Sequence, residues 1–340
     1  MRAVHATHPN VGLTARAEWV TIGAMHVDQL LRHESIHVLG SVFVRLVNLG
    51  YRAVWDLWTR TSLHRIGNAV IDRLPARTRR WVEKRKRDLR RSPSFQPILA
   101  QRLLEGREAP LVPQRELEER YRDAIDRLAL AAGPDEVGDY LEFGVYVGTS
   151  LLCMHRASKA FGLGSLRLYG FDSFQGLPEV TATEAAGVWQ PGWLRAEYSL
   201  VREHLTRNGI DWDRTTLVPG WFEETLVPGL AHQLGIKKAG IIMIDCEIYS
   251  AALTALTFCA PLIRDRAVVF LDEWSSDGTV AKDSSYANVL GERRAFEEFL
   301  AGNPDLKVEE ELSPYKRASK VFVVVRGESV ARDDGATRAT

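Results

Sequence analysis

The chain has 340 residues, 45% hydrophobic and 26% charged, and its 44 Lys and Arg balance 44 Asp and Glu. Such a composition is that of an ordinary soluble globular protein with material for one large core or two small ones. Three cysteines (Cys153, Cys246, Cys259) with no C-x-x-C exclude a disulfide framework and predict a reducing compartment. There is no signal-peptide pattern, and no run approaches the roughly twenty apolar residues of a membrane span. A cytoplasmic location with no membrane contact is the expectation. The zero net charge hides an asymmetry: residues 1–110 carry 19 basic and 9 acidic side chains, the remainder 25 and 35. Two units of opposite charge follow.

In chain order, residues 1–40 have weak periodicity and predict a poorly ordered terminus. From 41 to 112 the pattern is a basic helical extension. Val44, Val47, Tyr51, Val54 and Trp58 form one helical stripe, and Leu63, Ile66, Val70 and Leu74 form another that ends at Pro75. The basic run Arg77–Arg91 follows, then Pro93, Pro97, Pro110 and Pro113 mark a connection. A domain over 113–328 begins with a helix carrying Leu117, Tyr121, Ile125 and Leu128. Strands are predicted at Tyr140–Phe143, Leu166–Phe171, Thr215–Val218, Gly240–Ile244 and Ala267–Leu271. Helices alternate with them at Ser150–Phe161, Glu197–Asn208, Phe222–Leu234, Ala251–Leu262 and Gly291–Ala301. Two further strands, Leu306–Glu311 and Val321–Val325, have no helix between them and predict an antiparallel pair. Alternating strand and helix point to an α/β, Rossmann-like doubly wound sheet, mostly parallel, closed by a C-terminal antiparallel hairpin. Residues 329–340 read as a flexible tail.

The strand ends carry the chemistry. The run Tyr140-Leu141-Glu142-Phe143-Gly144-Val145-Tyr146-Val147-Gly148-Thr149-Ser150 is a buried strand ending in an acid, then a glycine loop that opens a helix. Gly144 and Gly148 allow a sharp turn and a close ligand approach; a plain structural turn is the alternative. Only two glycines are present, four apart, so the dinucleotide fingerprint G-x-G-x-x-G is not met, and Glu142 would repel a phosphate. The next strand ends at Asp172, within Gly170–Pro178. Two carboxylates beside glycines suit a ligand with a cationic end and a hydroxyl-rich nucleoside. S-adenosylmethionine (SAM) is such a ligand.

Two later strands also end in acids, Ile244-Asp245-Cys246-Glu247 and Leu271-Asp272-Glu273-Trp274. Carboxylates after neighbouring buried strands are costly unless something pairs them. A hard divalent cation such as Mg2+, bound by oxygens, would do so. The alternatives are a helix cap at Asp272-Glu273 and a surface arginine partner for Glu247. Cys246 between two acids reads as a small buried filler, and His155, His204 and His232 have no ligand spacing. Trp189, Trp193 and Tyr198 lie in a connection that is either an acceptor lid or aromatic packing.

From about 138 to 325 the chain resembles the macrocin O-methyltransferase family of metal-dependent class I methyltransferases. The resemblance is carried by Leu141–Ser150, Gly170–Pro178, Gly220–Leu226, Ile244–Ser250, Leu271–Trp274 and the segment Gly291–Phe296. It implies that Glu142, Gly144 and Gly148 surround the methionine end of SAM, that Asp172 takes the ribose hydroxyls, and that Gly220 and Trp221 sit near the adenine. It further implies Asp245, Asp272 and Glu273 as metal ligands and Glu247 as general base. The family often has Asp-x-Asp and Asp-Asp where this chain has Asp245-Cys246-Glu247 and Asp272-Glu273, so two carboxylates reach about one methylene further. The expected activity is Mg-assisted, SAM-dependent O-methylation of a small hydroxylated acceptor, such as a sugar or natural-product intermediate. A metal-independent methyltransferase and a non-catalytic SAM-binding protein with an N-terminal interaction module stand as alternatives. Nucleic acid is disfavoured, since the basic run holds one aromatic residue, Trp81; the run is read instead as docking onto the acidic domain of the same or a neighbouring subunit, with the N-terminal helices serving either homo-oligomerisation or closure over the acceptor.

Overall fold

The structure, a computed structural model, describes residues 76–77, 79–80, 96–184, 189–274 and 291–327. The chain divides into two compact units, Met1–Leu89 and Arg90–Thr340. In the first unit, Ala76, Arg77, Arg79 and Arg80 are helical and exposed. The loose terminus expected over 1–40, the stripes from Val44 to Leu74, most of the run Arg77–Arg91 and the tail 329–340 lie outside the described residues.

The second unit contains one seven-stranded sheet. Its strands are β1 (Asp139–Phe143), β2 (Leu168–Asp172), β3 (Thr215–Pro219), β4 (Ala239–Ile244), β5 (Arg266–Leu271), β6 (Leu306–Leu312) and β7 (Lys320–Arg326). The order across the sheet is β3-β2-β1-β4-β5-β7-β6. β1 to β5 pair in parallel, and β7 runs antiparallel to both β5 and β6. Every expected strand is present, its ends shifted by two residues at most. β4 is buried at all six positions, as a central parallel strand covered on both faces must be.

The described helices are α1 (Gln96–Leu104), α2 (Gln114–Ala132), α3 (Thr149–Ala160), α4 (Thr181–Glu184), α5 (Tyr198–Arg207), α6 (Phe222–Thr225), α7 (Leu230–Leu234), α8 (Tyr249–Cys259) and α9 (Gly291–Gly302). Side chains alternate across a strand, so each strand feeds two cores. On one face Tyr140, Met243 and Phe270 pack with Leu117, Tyr121 and Ile125 of α2 and Leu151 of α3. On the other, Leu141, Phe143, Phe171, Ile242 and Ile244 pack with Leu256 of α8 and Phe296 of α9. Each large apolar side chain buried this way contributes about 1.5–3 kcal/mol. The edge strand β6 exposes Lys307, Glu309, Glu310 and Glu311, charges that discourage edge-to-edge pairing.

Two elements differ from expectation. The span Phe222–Leu234 is two short helices, because Pro228 has no amide to donate and Gly229 takes φ +95°. Helix α1 falls within the stretch read as extension, yet Leu99, Leu103 and Leu104 join the same core as α2 and α3. It is tied to the sheet domain by His204 Nδ1 against the Leu104 carbonyl at 2.8 Å and by the Leu194 amide donating to Gln96 Oε1 at 3.3 Å.

Candidate active site

Strand order reverses between β1 and β4, which places a crevice at their carboxyl ends. The residue after each strand is bonded to its neighbour. Gly144 N–H donates to Phe171 O at 2.9 Å, Gly220 N–H to Asp172 O at 2.9 Å, Asp245 N–H to Phe143 O at 2.9 Å, and Asp272 N–H to Ile244 O at 3.0 Å. Five loops are thereby aligned along one rim.

On the β1 side, Gly144 (φ +93°) lies so close to the next loop that a Cβ would sit 1.8 Å from Asp245 O. Gly148 (φ +80°) precedes α3, and a Cβ there would meet Leu205. Glu142 is fully buried and accepts from Tyr140 OH at 2.8 Å and from Ser150 Oγ. Burial lifts its pKa to about 8 despite those donors, with Asp172 adding repulsion. Asp172 accepts from Val145 N–H and Tyr146 N–H through Oδ2, each at 2.8 Å, and from Phe174 N–H through Oδ1 at 2.6 Å. Burial raises its pKa and these three amides oppose the rise. Asp172 therefore fixes the course of the glycine loop. One strand further out, Gly220 (φ +140°) leads into Trp221, which precedes α6 and is half-buried.

The connection after β2 is packed on itself. Trp193 is buried and edge-on to Trp189, while Tyr198 is edge-on to Phe174 with ring centroids 5.2 Å apart.

On the β4 and β5 side the acids converge. Carboxylate oxygens of Asp245, Glu247 and Asp272 lie within 4.8 Å of one another. Glu273 is outside that group; its Oε1 accepts from Lys316 Nζ at 2.9 Å. Lys316 also donates to Asp272 Oδ2, and Tyr315 OH to Asp272 Oδ1. Asp272 is thus held by the β6–β7 connection. Glu247 adopts φ +67°, left-handed for a non-glycine residue, and its buried Oε2 has no hydrogen-bond partner among the described residues. Burial, then repulsion from Glu273, Asp245 and Asp272, drives its pKa far above the carboxylate range; burial and Asp272 do the same to Asp245. Cys246 is buried, its thiol pushed up by burial and the surrounding acids.

A divalent cation fits this donor set: convergent carboxylates, an unpartnered carboxylate oxygen, and mutual repulsion that positive charge would relieve.

Sequence reasoning assigned no role to Glu292, Tyr315 or Lys316. Glu292, the second residue of α9, is buried. It accepts from Cys246 N–H at 3.2 Å and Glu247 N–H at 3.4 Å through Oε1, and from Glu273 N–H at 2.9 Å through Oε2. One carboxylate thus ties both acidic loops together. Its pKa rises to about 8, chiefly through burial and then Asp272. The segment Gly291–Phe296 stood out in the sequence without its function. Nothing in sequence distinguishes Lys316 from other lysines.

Among the described residues no helix is long and apolar enough to cross a membrane. The O-methyltransferase NovP shares the fold, with a TM-score of 0.51 over 69% of this chain and 88% of that one at 19% identity. Over 146 residues the chain is 30% identical to the 8-demethyl-8-(2,3-dimethoxy-alpha-L-rhamnosyl)-tetracenomycin-C 4'-O-methyltransferase of Streptomyces olivaceus, covering 41% of this chain and 54% of that protein. Over 145 residues it is 23% identical to the mycinamicin III 3''-O-methyltransferase of Micromonospora griseorubida, covering 40% and 55%. The chain spans about half the length of the curated relatives it matches. The macrocin-O-methyltransferase (TylF) family profile matches residues 100–288, more than half of the chain and all five parallel strands of the sheet, and the chain belongs to that family.

Proposed function

We propose that the chain is a SAM-dependent O-methyltransferase that methylates a hydroxyl of a small acceptor, a sugar or natural-product intermediate, with the assistance of Mg2+. The observation that carries this is the meeting, at the switch point of a doubly wound sheet, of a glycine loop on β1 with a three-carboxylate cluster on β4 and β5. Family membership supports the reaction class. The Streptomyces olivaceus relative is named for a rhamnosyl compound, which supports a sugar hydroxyl as acceptor.

In this proposal Glu142, Gly144 and Gly148 receive the methionine end of SAM, Asp172 the ribose, and Gly220 with Trp221 the adenine. Asp245 and Asp272 would hold the cation, with Glu273, which lies outside the convergent group and is held by Lys316, as the third ligand that the resemblance implies. When bound, the cation would lower the pKa of the acceptor hydroxyl and neutralise the cluster. Gly144, lacking a Cβ, lets the β1 loop lie directly against the Asp245 loop, which brings the proposed cofactor loop next to the carboxylate cluster. The acceptor oxygen forms the new bond to the methyl carbon as the carbon–sulfur bond breaks, which yields the methyl ether and S-adenosylhomocysteine. Positioning the two reactants contributes on the order of 7–11 kcal/mol. With the repulsion that raises its pKa relieved by a bound cation, Glu247 would accept through its unpartnered Oε2 the proton that the hydroxyl loses.

The test is calorimetric titration with S-adenosylhomocysteine, then assay of methyl transfer to hydroxylated sugars. One-site binding and a methylated product are expected. Glu247→Gln should retain cofactor affinity within about twofold while turnover falls by roughly 10²–10⁴. A folded sample that does not bind S-adenosylhomocysteine would refute the proposal.

A further inference from the structure

Two of the three carboxylates proposed to hold the cation already have a cation of the chain's own. Lys316 lies between β6 and β7, and its Nζ bridges Asp272 Oδ2 and Glu273 Oε1. The bridge is built into the connection. Lys316 N–H donates to Ser319 Oγ at 3.2 Å, and Ser319 N–H donates back to Lys316 O at 3.2 Å, closing a tight turn. Next to it, the buried Tyr315 anchors the loop through its hydroxyl on the other oxygen of Asp272. The Lys316 side chain keeps 22% of its surface exposed, whereas Asp272 keeps 4%. Asp272 is locked in place, while the Lys316 side chain reaches it from a partly exposed position.

We infer that Lys316 is an exchangeable resident cation, which holds Asp272 and Glu273 while the divalent ion is absent and swings out to solvent when that ion binds. The inference rests on the metal site proposed above. Three observations favour exchange over a permanent ion pair. One ammonium is a small charge for Asp245, Glu247, Asp272, Glu273 and Glu292. It touches the β5 acids alone, so Asp245 and Glu247 on the β4 side gain no direct contact from it. A lysine is a compact charge on a flexible four-carbon stem, suited to leave where a rigid guanidinium fork would stay.

The consequence is a metal site with reduced affinity and a smaller stability difference between its empty and loaded forms, because the ammonium offsets the part of the repulsion that arises at Asp272 and Glu273.

The test uses the full chain. Mn2+ is titrated calorimetrically into the wild type and Lys316→Met, and binding of S-adenosylhomocysteine is measured in parallel. Removing the competing charge should tighten Mn2+ binding by about tenfold or more, and Mg2+ should raise the melting temperature of Lys316→Met further than that of the wild type. In wild type, amine labelling of Lys316, read by mass spectrometry, should rise when Mg2+ is added, while labelling of the exposed Lys237 stays constant. Lys316→Arg, which keeps the charge, should bind Mn2+ no more tightly than the wild type. Labelling of Lys316 that ignores Mg2+, unchanged Mn2+ affinity in a folded Lys316→Met, or no metal binding by either protein would each overturn the inference. Loss of S-adenosylhomocysteine binding alone would leave it standing and remove the methyltransferase proposal instead.

Discussion

Glu142 shows how burial acts on one side chain at the rim of the candidate site. It lies on the same face of β1 as Tyr140, under the α2 and α3 layer, with two hydroxyl donors and full burial. Its pKa of about 8 against an ordinary 4.5 means that the folded chain binds more protons than the unfolded chain between those values. Stability contributed by this group therefore falls as pH rises from about 4.5 to about 8, and is level above that. Glu142→Gln removes the titration and keeps an acceptor oxygen for one of the two hydroxyls, while its amide nitrogen donates to the oxygen of the other. Denaturation curves at about pH 5 and about pH 8 should show a smaller loss of stability for Glu142→Gln than for the wild type. An equal loss in both would mean that the slope belongs to the other carboxyls with raised pKa values, Asp139, Asp172, Asp245, Glu247 and Glu292.

At the scale of elements, the strands and most helices were legible because each is encoded locally. The run Gly240–Ile244 is apolar at every position, and α2 repeats its buried residues at Leu117, Tyr121, Ile125 and Leu128. What was not legible arrives through topology. Lys316 reaches Asp272 across 44 positions, and Glu292 reaches Cys246 across 46, because α9 and the β6–β7 connection fold back over the strand ends. The spacing of acids along the chain revealed which loops carry charge, but the partner of each acid depends on the crossing of later elements. Gly144 is the clearest case where local sequence and topology demand the same residue. Its φ of +93° disfavours any side chain, and the Asp245 carbonyl fills the place of a Cβ. Gly144→Ala must displace the β1 loop from the β4 loop. It is expected to cost about 3 kcal/mol or more, read as a lower denaturant midpoint, with cofactor binding weakened in whatever fraction stays folded. A midpoint near that of the wild type would show that the two loops separate freely.

For the molecule as a whole, the candidate site lies entirely within the unit Arg90–Thr340, and its parts come from almost every connection at one edge of the sheet. Glu142 lies on β1 and Asp172 ends β2, while Gly144, Gly220, Asp245 and Asp272 follow β1, β3, β4 and β5; α9 ties the loops after β4 and β5 together and the β6–β7 connection holds Asp272. Global unfolding of that unit must scatter all of these groups, so a ligand that needs them together binds the native state alone. Its binding free energy then adds to stability as RT ln(1 + [L]/Kd), about 2.7 kcal/mol at a hundredfold excess over Kd. For a unit of this size the melting temperature should rise by about 5–10 °C. Scanning calorimetry of the full chain with S-adenosylhomocysteine checks this, because a nucleoside that touched only one loop could bind a partly unfolded chain and would give a smaller shift. Adenosine alone is the control: it lacks the methionine end, so its shift at the same multiple of its own Kd should match, and at equal concentration should be smaller. Equal shifts at equal concentration would place the binding energy in the adenine side of the crevice and take Glu142 and the glycine loop out of recognition.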